Sequence, residues 1–264
     1  MMLLIRAVLG VTALGAVLSG CSKAAPAETE VTIAAAADLT AAFDELGAAF
    51  AAKTGVHPTF TFGSTGLLAK QLEQGAPFDV FAAANVSYVD QAVQSGACDG
   101  ATKSMYARGR LVLWWRNGAT IAPPKALSDL ADARFVHVSI ANPEHAPYGR
   151  AAEEALGHAG VLDAVKPKLV FGENVQQAQK SAETGNADVA IVALSLAIHD
   201  EKGAYVSLDQ SLHAPIDQAM VTCRHGHAAG LGKQFTDFIG SGAGRAVMRR
   251  YGFLLPGETL VAAP

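Results

Sequence analysis

Charge is scarce in this sequence. Only 17% of its 264 residues are charged, and the 24 acids outnumber the 20 bases for a formal net charge of −4. Without a basic excess there is no face to neutralise a phosphate backbone, so a nucleic-acid partner is excluded. Signatures of catalysis are missing too. The segment Gly63-Ser64-Thr65-Gly66 lacks both the G-x-S-x-G spacing of a nucleophile elbow and the lysine of a Walker loop. No paired carboxylates fall at matched loop positions, and the eight histidines are scattered. Their one close pair, His225-Gly226-His227, reads as a surface turn rather than a metal site. The chain is therefore expected not to be an enzyme, and nothing in it implies a cofactor or a metal-cation site. Of its three cysteines, Cys98 and Cys223 lack metal-ligand spacing; a disulfide and two separate buried thiols both remain open for them.

No membrane-spanning helix is expected at the N-terminus, because the apolar run from Ala7 to Leu18 is about twelve residues long and a bilayer needs roughly 20. What is there is an address. Met1 to Gly20 carries one base, Arg6, and no acid, and leads into Leu18-Ser19-Gly20-Cys21. This is the pattern of a lipoprotein signal peptide, with Cys21 as the lipidation site. Residues 22–30 (SKAAPAETE) are polar and rich in Ala and Pro, as a tether would be. The mature protein is thus expected on the periplasmic side, anchored to the membrane through a lipid.

From Val31 onward, short apolar runs alternate with segments of helical period, the pattern of α/β architecture built on parallel sheets. The strand Val31–Ala34 precedes Asp38, a candidate N-cap for a helix carrying Leu39, Phe43, Leu46 and Phe50. Val56–Phe62 leads through Gly63-Ser64-Thr65-Gly66 into a helix with Leu67, Leu68 and Leu72. A strand over 78–83 and a helix over 86–95 follow. Arg110–Trp115 is strongly apolar and opens a second βα series: a strand over 135–140, a helix over 150–158, a strand over 168–171, a helix over 176–183 and a buried strand over 187–193. A strand over 219–223 and helices over 231–239 and 244–251 finish the chain. No sequence repeat is visible, yet the architecture looks duplicated, with a boundary near Tyr106–Arg110 and a return near Pro215.

Small polar residues gather at four strand-to-helix junctions: Ala37-Asp38, Gly63–Gly66, Pro147–Gly149 and Asn174-Val175. Helix starts present unpaired N–H groups and the positive end of the macrodipole, which suits an anion. If two junctions come from each half, they form a cage of neutral donors across a cleft. Lys70 and Arg150 lie nearby but inside their helices, where a solvated charge is the expectation, and Trp114-Trp115 is expected to pack at least one ring in a core. A lipid-anchored assembly module would not need such junctions.

Several segments carry a family resemblance: Ala34-Ala35-Ala36-Ala37-Asp38-Leu39-Thr40, Gly63-Ser64-Thr65, Gly75 to Phe81 (GAPFDVF), Tyr106 to Val112 (YARGRLV), Asn142 to Gly149 (NPEHAPYG) and Arg250-Tyr251-Gly252-Phe253. In order and spacing, over nearly the whole mature chain, they resemble the periplasmic molybdate-binding proteins of ABC transporters. The resemblance implies an α/β, two-lobed periplasmic binding protein of type II, with a two-segment hinge and an interdomain ligand cleft. On that pattern, lobe I would comprise 31–107 and 216–264, and lobe II 108–215, after a signal peptide (1–20) and a tether (21–30). The implied ligand is molybdate, with tungstate beside it, handed by a monomer to an ABC permease. Asp38, Thr65, Tyr148 and Val175 would bind the oxyanion, with Ser64, Gly149 and Asn174 as additional candidates.

Two positions depart from the pattern. Well-known members have a hydroxyl residue where this chain has Asp38. The first expectation is that its carboxylate caps the following helix and leaves its amide to the ligand; the other is that it accepts a hydrogen bond from a protonated oxyanion, favouring phosphate-like anions. Ala193 stands where some members have a tyrosine. The competing cargo on the same fold is sulfate, phosphate, a small carboxylate or a phosphoester.

Overall fold

The computed structural model describes residues 29–258. The signal peptide, Cys21 and all but the last two residues of the 21–30 tether lie outside the described residues. Two five-stranded sheets organise the chain. β1 (Glu30–Ala36), β2 (His57–Gly63) and β3 (Val80–Ala83) run parallel, joined by α1 (Thr40–Thr54) and α2 (Thr65–Glu73). β1 is buried at five of its seven positions, including all of Ile33–Ala36, which explains the apolar run there in place of alternation. α1 buries Phe43, Leu46 and Phe50 at helical spacing and stops at Gly55, whose left-handed φ of 74° lets its N–H reach the carbonyl of Ala51.

After α3 (Val86–Gln94), β4 (Ser104–Gly109) closes the first sheet at its edge, and Arg110 alone separates it from β5 (Leu111–Arg116) of the second. The second sheet gathers β6 (Val138–Ala141), β7 (Leu169–Gly172), β8 (Val189–Ala193) and β9 (Gly203–Ser207), with α4 (Pro147–His158), α5 (Leu162–Val165), α6 (Val175–Glu183) and α7 (Leu194–Ala197) between them. The chain then returns to the first sheet as β10 (Ile216–Thr222) and ends in α8 (Ala229–Gly240) and α9 (Gly242–Arg250). β4 and β9 were not anticipated: each is a half-exposed edge strand with a weak apolar pattern.

The strand orders are β2-β1-β3-β10-β4 and β7-β6-β8-β5-β9. Each sheet thus has one order: three parallel strands, then an antiparallel strand entering next to the interlobe crossing, then an edge strand. This is the α/β two-lobed fold expected, duplicated in architecture without a repeat in sequence. The Cys98–Cys223 alternative resolves as a disulfide, tying the loop after α3 to the end of β10.

Register explains why the junctions converge. Ala36, at the end of β1, pairs with Gly63 at the end of β2, and Ala141 pairs with Gly172 in the second sheet. The four junctions begin at or within six residues after these strand ends, two side by side at the carboxyl ends of the strands in each lobe, where ligands of open α/β sheets bind.

Candidate functional site

Asp38, Ser64, Thr65, Tyr148, Asn174 and Val175 line one small chamber, together with Ala37, Ala84 and Pro147. Its walls come from both lobes. Thr65 begins α2, Tyr148 is the second residue of α4, and Val175 begins α6. First-turn amides of a helix have no partner inside it, so three macrodipoles aim positive ends at the same space. The hydroxyl of Thr65 accepts from the N–H of Ala84 at 3.1 Å, which leaves its proton free to donate.

The additional candidates behave differently. Asn174 caps α6 by accepting from the N–H of Gln177 at 3.0 Å. The hydroxyl of Ser64 lies 2.8 Å from both the carbonyl oxygen and Nδ1 of His145, and is committed to joining the lobes. Gly149 donates its N–H to Ala146 at 3.0 Å. Its role is close packing, since a Cβ there would stand 2.1 Å from the carbonyl oxygen of Ala141. Ala193 is buried at the end of β8 and is not among the lining residues.

The capping role expected of Asp38 is not what the structure shows. Asp38 sits in a single 3-10 turn, α1 starts two residues later at Thr40 behind Leu39, and neither start has a side-chain cap. The carboxyl group turns into the molecule instead, 1% exposed. Its Oδ2 accepts from the hydroxyl of Tyr148 at 2.9 Å and from Nε2 of Gln218 at 2.6 Å. Gln218 is held in turn by the hydroxyl of Tyr106, which donates to its Oε1 at 2.7 Å. Oδ1 of Asp38 is buried and has no hydrogen-bond partner among the described residues. Burial raises the Asp38 pKa from 3.8 to about 6, against the lowering effect of the bonds from Gln218 and Tyr148. Burial, then the Asp38 charge, drives Tyr148 and Tyr106 well above the ordinary phenol range, so both remain donors.

Gln218, Tyr106 and His145 were missed as functional residues. A faint signal existed for one of them: Gln218 is a buried amide that follows Asp217 at the start of β10, just ahead of the apolar stretch Ala219–Val221. The pairing of β10 with β4 shifts register between Gln218 and Ala219, a bulge of the kind that re-aims a side chain. Arg150 is more than the solvated charge expected. Its Nε donates to the carbonyl of Pro143 at 2.9 Å, a terminal nitrogen donates to the Tyr88 hydroxyl, and the guanidinium lies 5.3 Å over that ring. It therefore links α4 of one lobe to α3 of the other. Lys70 is exposed as expected, Trp114 is fully buried and Trp115 half-buried.

Further contacts join the lobes near the chamber. The N–H of Gly66 donates to the carbonyl of His145 at 2.9 Å, and the hydroxyl of Ser195 donates to the backbone carbonyl of Asp38 at 2.7 Å. No group of three or more His, Cys, Asp or Glu that would hold a metal ion occurs among the described residues, nor does a helix long and apolar enough to cross a membrane. The arrangement can surround a small anion with neutral donors and one carboxyl group.

Comparison with known proteins groups this chain with solute-binding proteins. Residues 31–254 match the family model of the bacterial extracellular solute-binding proteins. The molybdate-binding protein ModA of Rhodobacter capsulatus is 38% identical over 247 residues, 93% of this chain and 95% of that one. ModA of Azotobacter vinelandii is 35% identical, covering 92% and 96% of the two chains. The solved periplasmic molybdate-binding protein of A. vinelandii superposes with a TM-score of 0.79 at 28% identity, covering 86% of this chain and 99% of that one.

Proposed function

The chain belongs to the family of bacterial extracellular solute-binding proteins, and from that premise we propose that its cleft captures molybdate, and tungstate with it, for delivery to an ABC permease. One observation carries the reading: the starts of α2, α4 and α6, contributed by both lobes, meet in one chamber with Thr65, Tyr148 and Val175 at their tips. The hydroxyl and amide of Thr65 and the amides of Tyr148 and Val175 would hold the oxygens of the anion. Such contacts are hydrogen bonds to oxygen, not bonds to the metal. Preorganised neutral dipoles stabilise a desolvated dianion while leaving release to the permease feasible.

The supporting features extend beyond the chamber. Donors from two lobes contacting one anion would favour the closed arrangement, with the Arg110 crossing and the return into β10 as the hinge segments. The division into lobe I (31–107 and 216–264) and lobe II (108–215) belongs to this proposal. So do lipid attachment at Cys21, an extracytoplasmic position and a monomeric state. The functional assignment leaves the chain without catalysis of its own.

Asp38 favours a second reading. Two unit charges 4 Å apart interact by about 4 kcal/mol at an effective dielectric of 20, and a dianion doubles this. An ionised Asp38 would thus penalise molybdate heavily, whereas a protonated oxyanion such as phosphate would offer its own hydrogen to Oδ1. Calorimetric titration with molybdate, tungstate, sulfate and phosphate at fixed pH separates the two. Heat with molybdate and tungstate supports the proposal; silence with both beside a response to phosphate replaces it with the second reading.

A further inference from the structure

We propose that the cleft takes up its oxyanion together with one proton, which settles on Oδ1 of Asp38, so that Asp38 enters the complex as a neutral carboxylic acid donating its O–H to the anion. The inference rests on the cleft holding an oxyanion, as proposed above, and on three features of the geometry.

First, Asp38 lines the chamber and is 1% exposed, so its charge is screened by no solvent. Second, its two oxygens are unequal. Oδ2 is filled by two donors, Tyr148 and Gln218, while Oδ1 is without a partner among the described residues. A proton arriving at the carboxylate therefore has one place to go, and from Oδ1 it becomes a donor in a site otherwise made of donors. Third, no charged side chain among the described residues pairs with Asp38; positive potential reaches it only from the helix starts. Tyr148 from α4 and Tyr106 from β4 are the titratable groups in its network, and burial keeps both protonated. Gln218 from β10, Ser195 from α7 and Thr65 from α2 are uncharged. His145, on the loop into α4, is tied to Ser64, and no ion pair to Asp38 occurs among the described residues.

Burial already raises this carboxyl to about 6 in the protein alone. A dianion entering the chamber adds like charge, which raises it further. The balance is simple: carboxylate, dianion and one solvent proton go in, and a neutral acid hydrogen-bonded to the dianion results. Gln218 is a positioning residue in this scheme. By occupying Oδ2 from a side chain clamped by Tyr106, it directs the proton to the other oxygen.

The test is proton-linked calorimetry on the full-length protein. Titrations with molybdate and with sulfate, neither of which changes protonation between pH 6.5 and 8.5, are run in two buffers of different ionisation enthalpy. Uptake approaching one proton per anion is expected at pH 8, with affinity falling about tenfold per pH unit once the free carboxyl is ionised. Difference infrared spectra should show a protonated-carboxyl stretch appearing on binding, absent in Asp38→Asn. The Asp38→Asn and Asp38→Ser variants should show no proton uptake and a flat pH profile. Gln218→Leu should retain uptake but with a shifted pH profile, which a merely structural residue would not produce. Molybdate binding without proton uptake overturns this inference and leaves the proposed cargo standing. Proton uptake with sulfate while molybdate is silent overturns the cargo and leaves the proton. No heat with any anion overturns both.

Discussion

The two lobes share one strand order and build their halves of the site by different means. Lobe I has a large aromatic interior: Phe235 packs against Phe43, Phe50 and Phe60 with ring centroids 5.3–5.8 Å apart, and the disulfide closes its far side. It contributes side-chain chemistry, namely the Asp38 carboxyl and the Thr65 hydroxyl, backed by Gln218 and Tyr106. Lobe II packs its helices without such a ring cluster among the described residues. Ala141, Ala151, Ala152, Ala155, Ala178 and Ala182 are buried between its sheet and helices. Small residues let the helices lie against the strands: a Cβ on Gly172 would stand 2.6 Å from the amide nitrogen of Ala178. Lobe II therefore contributes chiefly backbone at helix starts fixed in place by tight packing, with the hydroxyls of Tyr148 and Ser195 holding Asp38 rather than facing the anion. Duplicated topology sets where donors converge, and the packing inside each lobe sets which kind of donor it is.

That contrast can be broken at four points. Phe235→Ala removes the hub of the lobe I interior and should cost about 3–5 kcal/mol, read by denaturant unfolding; a loss under 1 kcal/mol would show that the aromatic cluster is not what holds the lobe. Replacing both Cys98 and Cys223 by Ser frees a crosslink spanning 125 residues and should cost about 2–5 kcal/mol. Because that loop contains all of lobe II while the bond lies in lobe I, hydrogen exchange should rise around β10 and the end of α3 and remain unchanged in β6 and β8. Gly149→Ala forces α4 from β6 and should cost about 1–3 kcal/mol together with a loss of anion affinity, since the Tyr148 amide moves with the helix. Unchanged affinity there would separate the helix start from the site.

The smallest effect concerns Asp38 in the protein without anion. Its folded-state pKa is raised from 3.8 to about 6, so the folded state holds the proton more tightly than the unfolded chain. The stabilisation from that proton is complete below pH 3.8 and is lost as pH rises through 6. Asp38→Asn should therefore melt a few degrees above the wild type at pH 7.5, and the gap should close by pH 4. A gap that widens on acidification reverses the sign and would mean that the carboxylate, not the acid, is the stabilised form.

Much of this molecule was legible in order of residues. Short apolar runs located most strands, helical spacing placed Phe43, Leu46 and Phe50 on the buried face of α1, and small polar residues marked the four junctions. The edge strands β4 and β9 escaped because a half-exposed strand has neither a continuous apolar run nor a firm alternation. Gln218 escaped because an amide beside an acid at the start of a strand does not say which of the two points inward; the register shift at the bulge accompanies that choice. Arg150 was read as solvated because Tyr88, its partner, lies 62 positions away in the other lobe.

By itself, the sequence determined the α/β class, the two βα series and the donor-rich junctions, because each depends on neighbours within a few residues. It also determined that an acid stands at position 38. Only the tertiary structure decided what that acid does. Its partners are 110 and 180 positions away, and its affinity for a proton depends on how completely the fold removes water from it. Helix capping is a local matter that a sequence can suggest; desolvation belongs to the whole assembled chain, and here desolvation turned Asp38 from a candidate cap into the one carboxyl group among the described residues that line the cleft.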